Sequence, residues 1–445
     1  MSEHSTTSPS FSEACRFWFK LGCISFGGPA GQIAIMHQEL VEQRRWISER
    51  RFLHALNYCM VLPGPEAQQL ATYLGWLLHG TPGGIVAGSL FVLPSLLLII
   101  ILSWVYLAFG NLPIIAGILY GIKPAVAAIV IHASYKIGTR TLKNSSLYGI
   151  AAIAFIALFA FQVGFPFIIL GAAVLGLLGG RWIPQHFCGS HASANTNPSP
   201  AHQRRAVIDD DSPRAQHTLF HWSGLSRVIL TGLFLWALPL CSLWIAFGWQ
   251  HSLTQMAWFF TKTALLTFGG AYAVLPYVMQ EAVDYYRWLT PTQMMDGLAL
   301  GESTPGPLIM VLSFVGFVTA YVQQLFGPEQ LFLAGSFAAI LVTWFTFLPS
   351  FIFILAGGPL IESSQGKLQV EAPLNAITAA VVGVVLNLAI FFTYHIVWPH
   401  GFNAQIDTLA GLMTACAVIA LFHFKAKIQW TLILFAGLGL SFQLL

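Results

Sequence analysis

The sequence predicts an all-α polytopic membrane protein made of two homologous repeats in inverted orientation, with broken or re-entrant helices at the centre. Three observations predict it. The chain of 445 residues is 56% hydrophobic and only 8% charged, far too apolar for a soluble fold. Apolar runs long enough to cross a hydrocarbon layer of roughly 30 Å recur along it. Two stretches, "FWFKLGCISFGG" from Phe17 and "FFTKTALLTFGG" from Phe259, place a lysine and then a helix-breaking Phe-Gly-Gly at one spacing. Lys20 and Lys262 stand 242 residues apart, as do Phe26 and Phe268.

Residues 1–183 form the first repeat. The opening residues are polar and carry Glu3 and Glu13, which does not fit the basic, apolar, small-residue order of a cleaved secretion signal, so the chain is expected to keep its own N-terminus. The Phe17 segment breaks at Phe26-Gly27-Gly28. Ser48 then caps a helix of about 14 residues, roughly 20 Å, that stops at Pro63-Gly64-Pro65. That is too short to span, and backbone left unpaired in a bilayer is tolerated only inside protein or beside a watery cavity. Spans follow at 83–109 and 112–132, and a tight antiparallel pair of shorter runs, 147–161 with 165–178, closes the repeat.

Residues 184–222 are polar and rich in Ser, Pro and Ala, a linker expected on the cytoplasmic side. Residues 223–252 hold one extra span, at 225–247. The second repeat, 253–445, follows the first without gaps from Phe259 to Pro307. Gln280-Glu281 answers Gln38-Glu39, Arg287-Trp288 answers Arg45-Trp46, and Pro305-Gly306-Pro307 answers the first Pro-Gly-Pro. Thr290, Pro291 and Gln293 make a capping box at the position of Ser48. After a length change "FLPS" at Phe347 answers "VLPS" at Val92, followed by spans at 331–357 and 372–394 and a closing pair at 408–424 and 428–444. Register held this long marks an internal duplication. With six apolar segments in each repeat, one added span inverts the second against the first, as in many secondary transporters.

Charge bears on the broken segments. Arg44, Arg45, Arg50 and Arg51 crowd one connection, and the linker arginines with Lys136, Arg140 and Lys143 mark the cytoplasmic side. Re-entrant hairpins return that connection to the cytoplasm; full crossings expose it outside. The equivalent connection around Arg287 is less basic, because Glu281, Asp284 and Asp296 lie near it. Surface ion pairs are expected between Glu39 and Arg45 and between Glu281 and Arg287.

A broken helix offers free N-H groups at its new start, where the dipole favours an anion. Any one break also reads as a kink for close packing. Four in repeated register beside a repeated lysine favour an anion site of Lys20, Phe26, Gly27, Gly28, Pro63, Gly64 and Pro65, with Lys262, Phe268, Gly269, Gly270, Pro305, Gly306 and Pro307. The two lysines either snorkel to headgroups or face the pore. Glu66, Glu302 and Lys123 are coupling candidates. Glu66 alternatively stabilises a first helical turn, Glu302 a helix end, and Lys123 has no lysine counterpart in "LNAITAA".

Other chemistries are not supported. The chain has no HExxH, CxxC, GxSxG or nucleotide loop, so no catalytic residues, metal or cofactor are expected. Six scattered cysteines give neither a zinc site nor a disulfide framework, and a net charge of +3 gives no nucleic-acid surface. A passive channel suits broken helices in inverted copies less well than alternating access does.

"FGGPAGQIAIMHQELV", "LPGPEAQQLATYLG", "FTKTALLTFGGAYAVLP" and "ESTPGPLIMVLSFVGF" resemble the chromate ion transporter family in its long, two-half form. The resemblance covers the chain apart from the N-terminal tail and linker. It implies a multi-pass protein of the bacterial inner membrane that exports chromate, driven by the proton-motive force with protons as coupling ion. Sulfate has the same charge and shape and is the alternative substrate. For a tetrahedral dianion, helix N-termini and lysines from two halves supply donors on several sides.

Overall fold

Helix dominates the computed structural model, which describes residues 9–26, 28–110, 112–187, 206–209, 216–364, 371–399, 401 and 405–444. Among these residues extended pairing is limited to one bridge, between Ile47 and Ile208. Gly27 and most of the linker lie outside the described residues.

The first repeat opens with two hairpins of half-length helices. In α1 (Phe11–Ile24) the Ser10 hydroxyl caps the start by accepting from the Glu13 amide. The chain breaks after Ser25 and turns back through α2 (Gly28–His37). Its continuation, the π-helical stretch Gln38–Gln43, delivers Arg44 to 3.5 Å from Glu13 and over the Phe17 ring, and Trp46 to the same ring. The second hairpin is α3 (Glu49–Val61), capped by Ser48, and the start of α4 (Glu66–Phe109). Although α4 has the length of one long span, His79 and Gly80 leave helical geometry, Gly80 with φ 67°. The short arm, 66–78, folds back along the long arm, 81–109, with Gly75 against Gly83 and Ala87. Tyr58 of α3 meets Tyr73 of the short arm at 5.6 Å.

Both hairpins therefore open toward one end of the molecule. His79 bonds the Pro9 carbonyl at 2.9 Å, and the Ser48 amide donates to Ile208 at 3.0 Å. The arginine-rich connection thus lies beside the first described residues and a piece of the linker, as the re-entrant form requires.

The repeat continues through α5 (Pro113–Thr141), α6 (Ser145–Phe159), α7 (Phe165–Trp182) and the single turn α8 (Pro184–Phe187). The extra span, α9 (Trp222–Phe247), lies on the outside, with Gly232, Leu240 and Leu243 as its buried residues. The second repeat restates the hairpins with α10 (Ser252–Leu266), α11 (Ala271–Met279), the π-helical stretch Gln280–Tyr285, α12 (Pro291–Ser303) and α13 (Val311–Val322). The capping box at Thr290 and Gln293 is present. Arg287 repeats the left-handed backbone of Arg45, both with φ 53°. Phe259 and Trp288 meet edge to face at 5.6 Å, as Phe17 and Trp46 do at 5.3 Å. There follow α14 (Leu331–Ser364), α15 (Glu371–Val397), α16 (Thr408–Phe422) and α17 (Ile428–Leu444). Among the described residues six helices are long and apolar enough to cross a membrane, and four shorter apolar helices accompany them.

The repeats interlock. The long arm of α4 and α14 run antiparallel, with Trp104 at Phe332 near one end and Gly84 at Leu355 near the other. Helix α5 packs not on its own repeat's closing pair but on α16 and α17, while α15 packs on α6 and α7. Small residues make both contacts close: Gly117 and Gly121 lie on Gly439, and Gly383 on the Ala151 carbonyl. The two repeats are distinct in sequence, but each of the two apolar cores draws buried residues from both.

Candidate functional site

At the centre the four breaks meet in two reciprocal pairs. The Gly64 amide donates to the Thr267 carbonyl at 2.7 Å, and the Gly306 amide donates to the Ser25 carbonyl at 2.7 Å. Each Pro-Gly-Pro is thus bonded to the residue that precedes Phe-Gly-Gly in the other repeat. Gly64 and Gly306 have φ of 127° and 105°, a region that side chains other than glycine rarely enter. Serines of the two equivalent motifs stand over them. A Cβ on Gly64 would lie 2.3 Å from Ser350 Oγ, and one on Gly306 2.5 Å from Ser95 Cβ.

Two buried glutamines brace this crossing. Gln32 Nε2 donates to the Gly306 carbonyl at 2.5 Å, and Gln69 Nε2 donates to the Pro63 carbonyl at 2.7 Å and to Ser350 Oγ at 3.3 Å. The Oε1 atoms of Gln32, Gln68 and Gln69 and the hydroxyls of Ser25 and Ser95 are buried without a hydrogen-bond partner among the described residues. Unpaired buried polar atoms are costly, so each needs a partner or a role. The sequence marked "VLPS" and "FLPS" only as repeat landmarks and gave no signal for the glutamines.

The structure brings some sequence-predicted residues together and leaves others apart. Pro65, Pro305 and Pro307 are buried at the crossing, and Pro63 is half-buried there. The Gly64 and Gly306 amides already serve the other repeat, so they are not free anion donors. Phe26 and Phe268 are half-buried beside the breaks. Gly270 faces Pro29 of α2 at 3.9 Å, which brings the Phe-Gly-Gly breaks near each other, and Gly269 faces Thr378 at 3.6 Å. A Cβ on Gly28 would meet nothing within 4 Å. Gly27 falls outside the described residues.

The lysines stand off from the crossing. Lys20 is exposed, five residues before Ser25, while Phe17, Trp18, Leu21 and Gly22 take the buried face of α1. Lys262 is half-buried and within electrostatic range of Glu281. Glu39 pairs with Arg44 at 3.2 Å rather than with Arg45, whose left-handed backbone turns the chain.

The acidic candidates differ in setting. Glu66 is half-buried in the first turn of the short arm. Glu302 is buried, and the Tyr272 hydroxyl of α11 donates to it. Lys123 is 3.3 Å from Asp296, whose other oxygen accepts from Tyr106 at 2.9 Å. Asp296, which reads in sequence as an acid of the polar connection, is in fact buried within α12, because its partners come from the first repeat. In the second repeat Thr378 takes the place of Lys123 at the 255-residue offset of Ser350 from Ser95.

Comparison with known proteins adds an independent finding. The chromate transporter family model matches residues 12–177 and 254–440, one match in each repeat. A chromate transport protein of Pseudomonas aeruginosa is 31% identical over 373 residues, 83% of this chain and 77% of that protein. A chromate transport protein of Cupriavidus metallidurans is 25% identical over 429 residues, 95% of this chain and 91% of its own. A probable chromate transport protein of Synechococcus elongatus is 28% identical over 385 residues, 86% and 84% of the two chains. No solved structure matches.

Proposed function

The chain belongs to the chromate transporter family, and from that premise we propose that it exports chromate across the inner membrane as a secondary active transporter coupled to the proton-motive force. The observation that carries this reading is the reciprocal crossing, where Gly64 bonds Thr267 and Gly306 bonds Ser25. Equivalent breaks from two repeats meet there among buried polar atoms. The antiparallel course of the long arm of α4 and α14, which hold equivalent places in the repeats, supports an inverted arrangement with the crossing near the bilayer midplane.

A tetrahedral dianion at the crossing would take donors from the first-turn amides of α2 and α11 and from the Ser25 and Ser95 hydroxyls. Lys20 and Lys262, one and a half turns away, draw the anion inward by their field rather than hold it. The relatives named above are named for chromate, which favours it over sulfate.

Chromate accumulation by inside-out vesicles tests the reading. Energised vesicles are expected to accumulate chromate and to lose it on addition of an uncoupler. Accumulation that ignores the uncoupler overturns proton coupling, and accumulation of sulfate in place of chromate overturns the substrate.

Glu302 is proposed as the principal proton carrier, with Glu66 second. Buried beside Tyr272, Glu302 has no cation within ion-pair distance among the described residues, so it is inexpensive to hold protonated and costly to hold charged. Glu302→Gln is expected to keep chromate exchange between the two sides but to lose accumulation driven by a proton gradient. Wild-type accumulation by Glu302→Gln vesicles removes it from the coupling path.

A further inference from the structure

Two charge clusters, each of a buried carboxylate and a half-buried cation, join the repeats, one on each side of the crossing. In the first, Arg51 of α3 bonds Glu362 of α14 at 2.6 Å, and Tyr73 of the short arm donates to the other carboxylate oxygen at 2.7 Å. In the second, Lys123 of α5 and Tyr106 of the long arm take the two oxygens of Asp296 in α12. Their composition is the same. The first repeat supplies a cation and a tyrosine, and the second supplies a carboxylate whose side chain is 5% or 3% exposed. Duplication does not account for this likeness, since at the 242-residue offset Arg51 answers to Gln293 and Asp296 to His54. Unrelated residues have assembled one device twice.

Their positions are also matched. Tyr106 follows Ser95 by eleven residues and Glu362 follows Ser350 by twelve, which places each cluster about 16 to 18 Å of helix from the crossing. Because the two helices run antiparallel, the clusters lie on opposite sides. The Arg51 cluster is on the side of Pro9 and Ile208.

We propose, resting on the transporter reading above, that these clusters are the two gates of alternating access. Each closes one route between the crossing and one face, and the transport cycle breaks them in turn. A buried ion pair is poor static glue, because desolvation cancels much of its Coulomb gain and apolar residues pack as well. Its useful property is that it separates at tolerable cost only where water can enter to hydrate both charges. Each pair therefore opens when the helices it joins tilt apart on its side and water follows. The same tilt presses the opposite cluster together, so the two routes do not open at once.

The test uses the full chain without native cysteines and with Ser95→Cys as a buried reporter at the crossing. A membrane-impermeant maleimide is applied to sealed membranes from each face. Glu362→Gln is expected to speed labelling several-fold from the face that carries Pro9 and Ile208 and to leave the other face unchanged. Asp296→Asn is expected to do the reverse. Should either variant fail to accumulate, Tyr73→Phe and Tyr106→Phe, which keep the ion pairs, decide by smaller changes with the same sidedness. Labelling at the wild-type rate in all variants that fold, or faster labelling from one face for both clusters, overturns the proposal and leaves the clusters as structural ties.

Discussion

Gly306→Ala is expected to abolish chromate transport. Gly306 has φ 105°, and holding an L side chain in so sparse a backbone region costs roughly 1–3 kcal/mol. The steric cost comes on top. The new Cβ would stand 2.5 Å from Ser95 Cβ and 2.9 Å from its Oγ, and a Cβ cannot rotate out of the way. Either the long arm of α4 withdraws or the break does, and the Gly306 to Ser25 bond is lost with it. Adding Ser95→Gly removes both clashing atoms and leaves only the backbone strain, so the double variant should regain part of the flux. Gly64→Ala should be milder, because its close neighbours, Ser350 Oγ and Gln69 Nε2, are the mobile ends of side chains. Flux in vesicles and thermal unfolding in detergent measure all three. Wild-type flux in Gly306→Ala would contradict the crossing.

Gly121→Val is expected to cost the most stability. The position of its Cβ is 2.0 Å from the Phe435 carbonyl oxygen and 2.9 Å from both Gly439 N and Cα. Overpacking usually costs about 1–3 kcal/mol when side chains can yield; here every close neighbour is backbone, so α17 itself must move away. Transport should fall as well, since α5 carries Lys123. A Cβ on Gly437 meets nothing within 4 Å, so Gly437→Val is the near-neutral control. An unchanged melting temperature in Gly121→Val would show that α5 and α17 do not touch through their backbones.

The helices and caps were legible because their signals are local. Apolar length marks a span, and Thr290 and Gln293 sit three residues apart, close enough to be read together. The duplication was legible as well, being a matter of register. What stayed hidden was carried by contacts between residues far apart in the chain. Arg51 and Glu362 are separated by 311 positions, and nothing around Glu362 in sequence sets it apart from a surface acid. Asp296 looked like a loop acid for the same reason. At the breaks, glycine and proline announced that the helix stops, but not where the freed groups go. The Gly64 amide could serve an anion or a carbonyl equally well, and only the position of Thr267 decides it. The fold back at His79 and Gly80 lies in "HGTPGG", whose three glycines and one proline mark a break but do not say that the chain reverses there.

The interlocked packing of α5 has a consequence in time. Its glycine face at Gly117 and Gly121 is covered by Gly439 of α17, more than 300 residues downstream. At a synthesis rate of about 5–20 residues per second, that face waits roughly 15–60 s for its partner. Throughout that interval the small-residue face of α5 has no α17 to pack on. Insertion and assembly are therefore separate events for this chain, and the helix that bears Lys123 reaches its final setting only after α17 has been made. A late translation error or a frameshift near residue 430 is felt at the heart of the first repeat.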